Sequence, residues 1–450
     1  ARAGRSVVVL EATDAVGGAC RSAATTLPGF LHDVGAAVMP LGFASPAWQE
    51  LPLADYGLEW IAPPAEFGQP LDGGRAAVAY RDVERTAAGL GPDADRYRRL
   101  ATGLARDWDH LRASLLRPLL RLPRHPLTLA RFGLRGVQPA TRFGSRAAGD
   151  LLPALFSGCA AHAVLPLQRP LTTSFGLLFL ALTHTTGWQY PRGGAGALTG
   201  ALASYLESLG GEIRLSHPVR TWNDLPAHRA AVFTTGPPAL AGIAGDRLPG
   251  RLRRRFQAWP YGPGAFKVDF ALDGPIPWSA PELSEAGTVH VGGTMQEVAE
   301  AERQVAAGTH PERPFVLLAQ PSIADPSRAP AGKQVAWAYC HVPSGSDLDM
   351  SERIESQIER FAPGFRDRIL ARDVTPPSHL EAMNPNLVGG DVGGGSHTGT
   401  RLLFRPTMSP RPYRAGEAIY LGSASTPPGG GVHGMAGYGA ARAALQGALR

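Results

Sequence analysis

Lysine is almost missing from this 450-residue sequence: Lys267 and Lys333 are its only lysines, so nearly all of its 44 basic side chains are guanidinium groups. Cysteine is scarce as well. Cys20, Cys159 and Cys340 lie far apart with no C-x-x-C spacing, which argues against a disulfide framework or a zinc site and fits a reducing cytoplasm. Long hydrophobic runs are absent. The longest, around Phe175 to Leu182, is too short to cross a bilayer, and the N-terminus has no signal-peptide pattern. Between Asp109 and Asp150 there is no acidic residue at all. The net charge of +6 carries no nucleic-acid reading motif with it, so a nucleic-acid partner is not expected.

The rest of the composition, 44% hydrophobic and 18% charged, is that of a globular protein long enough for two domains. Ser6–Glu11 is a compact β-branched run without alternation, the pattern of a parallel strand buried on both faces. Before it, Ala1–Arg5 reads as the last turn of a helix stopped by Gly4. Helix is expected from about Asp93 to Gln138, broken by Pro118, Pro123 and Pro126. A glycine-punctuated helix start follows at Tyr190–Leu198, then a strand pair through Gly210–Ile213 and Pro218–Arg220, and a buried strand at Ala230–Thr235. Alternation at Ala265–Phe270, Phe315–Leu318 and Gln334–Tyr339 predicts an antiparallel sheet with one solvated face. Ala418–Gly422 restores the first style, with a glycine-rich turn to Gly431 and a small-residue helix from Val432 to Leu449. The basic stretch 112–146 sets arginines among leucines, the pattern of either a solvated helix face or a peripheral contact with an anionic membrane.

Glu11 stands at the tip of its strand, where a carboxylate accepts hydrogen bonds from the ribose hydroxyls of an adenosine. Gly17 and Gly18 follow, and paired glycines let backbone approach a ligand closely. The run from Leu10 through Glu11 to Gly17 and Gly18 resembles the second part of the FAD fingerprint of the amine oxidase and phytoene desaturase superfamily. The chain looks closest to the phytoene dehydrogenase-related branch, which includes the pyridine nucleotide-disulfide oxidoreductase domain-containing proteins. Ile419–Met435 is similar to that branch's flavin-contacting signature, Trp188–Gly194 to its glycine motif, and Leu31–Ala36 to its loop near the flavin ring. Val219 matches the position whose backbone pairs with adenine.

This resemblance implies FAD held by Glu11, Gly17, Gly18, Arg21, Gly35, Ala36, Val219, Gly422, Ser423, Gly431, Val432 and Met435. It also implies a G-x-G-x-x-G turn upstream of Ala1, about 20 to 35 residues long with its strand. Thr13 and Ala19 stand where many amine oxidases carry arginine, so the diphosphate would rest more on backbone amides. A glycine turn feeding a helix at Gly431–Met435 would set N–H groups where a reduced flavin gathers negative charge. In the superfamily a lysine placed like Lys267, followed by a tryptophan like Trp278, points at flavin N5 through a water. Read from its strand alone, Lys267 is one outward residue between Phe266 and Val268. His433 fits either a flavin contact or a backbone cap, and His162 and Cys159 read as packed helix residues.

The expected fold is α/β: a Rossmann-type FAD-binding domain of glutathione-reductase-like topology, built from residues 1–90, 186–258 and 380–450, with an inserted α+β substrate domain of residues 91–185 and 259–379. The expected function is an FAD-dependent oxidoreductase taking a hydride from a C–C or C–N bond of an apolar small molecule such as a polyene. The alternatives are a flavin-dependent polyene isomerase and a non-catalytic scaffold that has lost FAD. No metal is expected, and the location is cytoplasmic or peripheral to a membrane.

Overall fold

The computed structural model describes residues 1–120 and 122–450. Arg121, one arginine of the basic stretch, lies outside them.

The largest element is a seven-stranded sheet in the order β14-β10-β13-β12-β11-β5-β6. Its strands are β5 (Ala65–Leu71), β6 (Arg75–Ala79), β10 (Gly264–Leu272), β11 (Ala286–Val291), β12 (Val316–Ala319), β13 (Gln334–Val342) and β14 (Ile369–Thr375). Every neighbouring pair is antiparallel except β11 with β5. The alternation along β10 is expressed in space. Phe266, Val268 and Phe270 pack into a core with Ile354, Ile358 and Phe361 of the helix Ser351–Phe361, while Ala265, Lys267 and Asp269 point the other way. That second face is not solvated as the sequence suggests. All nine residues of β10 are buried, because the loops following Ser22 and His32 cover it. A further correction concerns residues 65–79. They fall in the segment assigned to the cofactor unit, yet β5 and β6 extend the large sheet, a pairing with β11 more than 200 positions away that no local pattern encodes.

A helical layer closes the other side of this region. In Ala94–Leu115 the buried positions Tyr97, Ala101, Leu104, Trp108 and Leu111 recur at helical spacing and form one stripe. Leu151–Ala161 is apolar all round and, apart from Leu151, wholly buried. With Thr172–Thr183 and Met295–Ala306 these helices share one core around Phe156, Leu180 and Trp188.

The remaining strands are short. β1 (Val8–Leu10) pairs in parallel with β8 (Glu212–Arg214), and β9 (Ala231–Phe233) in parallel with β15 (Ile419–Leu421). β2 (Ser22–Ala23) pairs with β3 (His32–Asp33), and β4 (Trp60–Ile61) with β7 (Tyr190–Pro191). The parallel style expected at both ends is therefore present, although Val8 and Val9 remain 39% exposed, since β8 is the only strand against β1 among the described residues. Pro218–Arg220 forms no strand. Proline offers no N–H to a ladder, and the amides of Arg220 and Thr221 both donate to Asp224 Oδ2 at 2.8 Å. The whole is the expected α/β architecture, a parallel-stranded cofactor side carrying an α+β insertion. Among the described residues no helix is long and apolar enough to cross a membrane.

Candidate functional site

Between the two sides lies a cavity of about 610 Å3. Its floor is the second face of the large sheet, with Lys267 on β10 and Trp337 and Tyr339 on β13; Lys267 stands directly opposite Tyr339 in the ladder. Phe175, Leu178 and Phe179 enter from the helix Thr172–Thr183. The rim is made of glycine-containing segments at 17–20, 35–41, 393 and 430–433. Among the described residues no aspartate, glutamate or arginine lines it, and Lys267 carries the one ammonium there.

Of the residues proposed from sequence, Gly17, Gly35, Ala36, Lys267, Gly431 and Val432 come together in this lining. Glu11, Gly18, Arg21, Val219, Gly422, Ser423 and Met435 are outside it. Glu11 follows β1 with one carboxylate oxygen, Oε1, accepting from the Thr13 amide and hydroxyl at 2.8 Å, which leaves Oε2 without a donor among the described residues. Arg21 keeps a buried Nε without an acceptor. Gly422 serves packing, because a Cβ there would lie 2.8 Å from the Ala440 Cβ of the helix Met435–Leu445. Met435 is a correction: its amide donates to His433 Nδ1 at 3.1 Å and its side chain is buried against Ala47 and Leu116. It has neither group left for a cofactor.

The rim is held by charged and polar groups the sequence reading did not single out. Asp33 Oδ1 accepts from Ser22 Oγ and the Ala195 amide, each at 2.7 Å, and its Oδ2 accepts from Arg328 Nη2 at 2.7 Å. Gly194 must be glycine, since its φ is +92° and a Cβ would stand 2.3 Å from Ser22 Oγ. The Tyr190–Leu198 motif thus exists to bring a helix start onto Asp33. On the opposite rim, buried Arg405 donates to the carbonyls of Gly393, Ala424 and Gly395 at 2.7 to 3.1 Å. Burial pushes its guanidinium down to about 10. His433 resolves as the cap of its own turn: Nε2 donates to the Gly429 carbonyl at 3.1 Å while Nδ1 accepts from Met435. Burial holds it neutral, down at about 4.

Lys267 is 3% exposed, so the outward-facing reading of its strand is set aside. Its Nζ is ion-paired with Asp269. Burial drives the Asp269 carboxyl up to about 6, with Lys267 pulling the other way. His162 also lines the cavity, its Nε2 3.2 Å from His290 Nε2. Trp337 and Tyr339 could have been read from sequence, since they share the alternation that marks Lys267.

The backbone around the cavity fits a flavin. The amides of Gly35, Ala36, Ala37 and Val38, and those of Gly430, Gly431 and Val432, find no acceptor among the described residues, and all seven residues line the cavity. These are donors a polar ring edge and a diphosphate chain need, and Thr13 and Ala19 supply none of the missing arginine contacts.

Residues 1–355 match the family pattern of flavin containing amine oxidoreductases. The chain is 29% identical over 222 residues to pyridine nucleotide-disulfide oxidoreductase domain-containing protein 2 of Rattus norvegicus, covering 46% of this chain and 35% of that one. To the lycopene-forming phytoene desaturase of Pseudescherichia vulneris it is 25% identical over 324 residues, 63% of this chain and 61% of that one. It therefore spans less than two thirds of the length of either relative. An oxidoreductase structure from Methanosarcina mazei shares the fold with a TM-score of 0.62 at 15% identity, over 97% of this chain and 93% of that one. The chain belongs to the flavin containing amine oxidoreductases, a family of FAD-dependent oxidoreductases.

Proposed function

We propose that this chain takes a hydride from a C–C or C–N bond of an apolar, uncharged substrate, with an extended polyene as the best-fitting class. The observation that carries this is the lining: aromatic and aliphatic side chains with no carboxylate, and a single ammonium at Lys267. A cationic amine entering there would meet the Lys267 ammonium and find no carboxylate in the lining to pair with, the one nearby anion, Asp269, being already bound to Lys267, which costs binding in a low-dielectric cavity. Bound FAD supplies the two-electron acceptor. The protein's part is to exclude water through Phe175, Phe179, Trp337 and Tyr339, to bind the flavin through the rim amides, and to hold a positive charge at Lys267 Nζ where negative charge develops.

The test is anaerobic mixing of the FAD-loaded protein with acyclic polyenes and, separately, with primary and polyamines. Bleaching of the flavin band by a polyene, with a product two hydrogens lighter, is the expected result. Bleaching by amines alone would overturn the apolar-substrate reading, and a polyene product of unchanged mass would replace it with isomerisation.

At the adenosine end, Glu11 is proposed to hold the ribose through its free Oε2. Glu11→Ala is expected to raise the FAD dissociation constant by about tenfold, as loss of charge-assisted hydrogen bonds does, while the melting temperature of the flavin-free protein stays put. Equal flavin content per chain after dialysis would remove Glu11 from the site.

Entry of a lipid-like substrate is proposed to use the helix Pro126–Gly136. Leu127 and Leu134, seven positions apart on one face, are 72% and 73% exposed, Leu122 is 97% exposed, and Phe132 of the same helix lines the cavity. Arginines 124, 131 and 135 flank them within a segment that has no acidic residue between Asp109 and Asp150, Asp107 of the preceding helix standing near Arg131. Cosedimentation with anionic vesicles should fall sharply in a Leu127→Glu/Leu134→Glu variant; equal cosedimentation would reduce this face to a solvated one.

A further inference from the structure

Lys267 does not stand alone behind the cavity. Asp269 Oδ2 accepts from Thr25 Oγ1 at 3.1 Å as well as pairing with Lys267. On the far side of the carboxylate, Asp269 Oδ1 and His32 Nδ1 are both buried without a hydrogen-bond partner among the described residues, and they face each other at 3.8 Å. The other nitrogen of that ring, Nε2, lies 2.8 Å from Thr26 Oγ1. Thr25 and Thr26 sit in the loop between β2 and β3 and are partly exposed, whereas His32 and Asp269 are 1% and 0% exposed. Together these groups make a series from the surface to the cavity with a single gap, the 3.8 Å between His32 Nδ1 and Asp269 Oδ1. A buried ion pair that served packing alone would not need two further unsatisfied polar atoms aimed at each other, since such atoms are costly and uncommon.

We propose that Thr26, His32 and Asp269 form a proton path from the protein surface to Lys267. The inference rests on the reading that Lys267 faces the flavin. Two-electron reduction of a quinone or of dioxygen takes up two protons, one travelling with the hydride equivalent and one supplied by the protein. Lys267 Nζ gives up that second proton, its N–H bond breaking as an O–H bond forms on the acceptor. His32 Nδ1–H gives a proton to the Asp269 carboxylate, which passes it on to the neutral Lys267 amine, and Nε2 of His32 takes its replacement through the Thr26 hydroxyl from water, return of the neutral ring to its Nδ1–H form resetting the path. A shift of less than 1 Å between Oδ1 and Nδ1 brings them within hydrogen-bonding distance.

The electrostatics support this role. Burial raises the Asp269 carboxyl to about 6, and Asp373, opposite it on β14, pushes the same way, while Lys267 and Thr25 oppose. Trp337, its other cross-strand neighbour, is uncharged. His32 is driven down to about 3 by burial, then by Lys267 and Arg328. A carboxyl that exchanges its proton near neutrality beside a neutral imidazole is what a relay requires.

The experiment compares Asp269→Asn, His32→Gln and Lys267→Met in the FAD-loaded protein by stopped flow, following reduction and reoxidation separately across pH. Reoxidation is expected to slow by about tenfold or more in Asp269→Asn and His32→Gln, the range of general acid catalysis, and to lose its wild-type pH profile, with flavin content and reduction unchanged. Infrared difference titration of the flavin-free protein gives a readout apart from turnover: a protonated carboxyl band that appears as pH falls through about 6 and is missing in Asp269→Asn. If Lys267→Met leaves both half-reactions unchanged, the placement of Lys267 fails and the path with it. If Lys267→Met slows reoxidation while the other two variants keep the wild-type rate and pH profile, the placement stands and the path is overturned.

Discussion

Replacing Asp33 by alanine is expected to lower the unfolding free energy by about 3 to 5 kcal/mol, the usual result of removing one partner of a buried ion pair. Asp33 and Arg328 are each 1% exposed, and the guanidinium has two contacts here, Asp33 Oδ2 at 2.7 Å and the Leu31 carbonyl at 3.0 Å. Without the carboxylate the buried guanidinium keeps one neutral hydrogen-bond acceptor, the Leu31 carbonyl, and the more remote Asp325 as its counter-charge. The Ala195 amide at the start of the helix Ala195–Ser208 loses its acceptor in the same step, as does the Ser22 hydroxyl. The Gly35–Val38 amides follow Asp33 directly in sequence, so FAD retention should fall together with stability. Adding Arg328→Met to Asp33→Ala should recover part of the loss, because the stranded charge is then gone. Denaturant midpoints of the two single variants and the double variant measure this. A single variant within about 1 kcal/mol of the parent, or a double variant that sums the two singles, would mean that the pair is not the clamp described here.

How far the sequence reveals this clamp shows where its information ends. Asp33 lies in Leu31–Ala36, which reads as the loop near the flavin ring, and the Ala195 amide it accepts from lies in the glycine-punctuated helix start Tyr190–Leu198, but neither pattern points to Arg328. Arg328 lies in a 3-10 turn 295 positions from Asp33, and its burial follows from the packing of that turn on the large sheet. Local chemistry was legible: the β1 tip with Glu11, the buried β15 with its glycine turn, and the period-2 pattern of β10 and β13 all form as read. What the second face of β10 packs against was not, since alternation marks two faces and leaves open whether water or a cofactor unit covers the polar one. The same limit explains β5 and β6, whose pairing with β11 is set by tertiary contact. It also explains Met435, whose amide looked available in a glycine turn until the neighbouring imidazole was seen to occupy it. The strand expected at Pro218–Arg220 is absent for a local reason, the proline itself and the Thr221–Asp224 cap that follows.

The burial of neutral histidines leads to the second large effect, a steep loss of stability on mild acidification. His32 and His433 are 1% and 3% exposed, and burial holds them down at about 3 and about 4. An unfolded chain restores an ordinary histidine, near 6.5. Below that value the unfolded state binds protons that the folded state refuses, so stability falls as pH drops from about 6.5 toward 4. At pH 4 each of these two groups costs about 3 kcal/mol, against a total stability of order 5 to 15 kcal/mol. His162, His290 and His397 are lowered in the same way and add to the loss with the same sign. Asp269 works in the opposite direction: with its carboxyl raised to about 6, its contribution is present at low pH and fades as pH rises from about 4 to 6, offsetting roughly one histidine. The histidines outnumber it. Protonation of His433 also removes the Nδ1 lone pair that accepts the Met435 amide, so the 429–435 turn and its free amides should loosen before the chain unfolds globally. Urea midpoints taken from pH 7.5 to 4 should therefore decline steeply below about 6, with release of bound flavin preceding the loss of tertiary signal, and His433→Gln should make the decline shallower by about one proton. A midpoint that stays level down to pH 5 would show that these imidazoles reach water in the native protein.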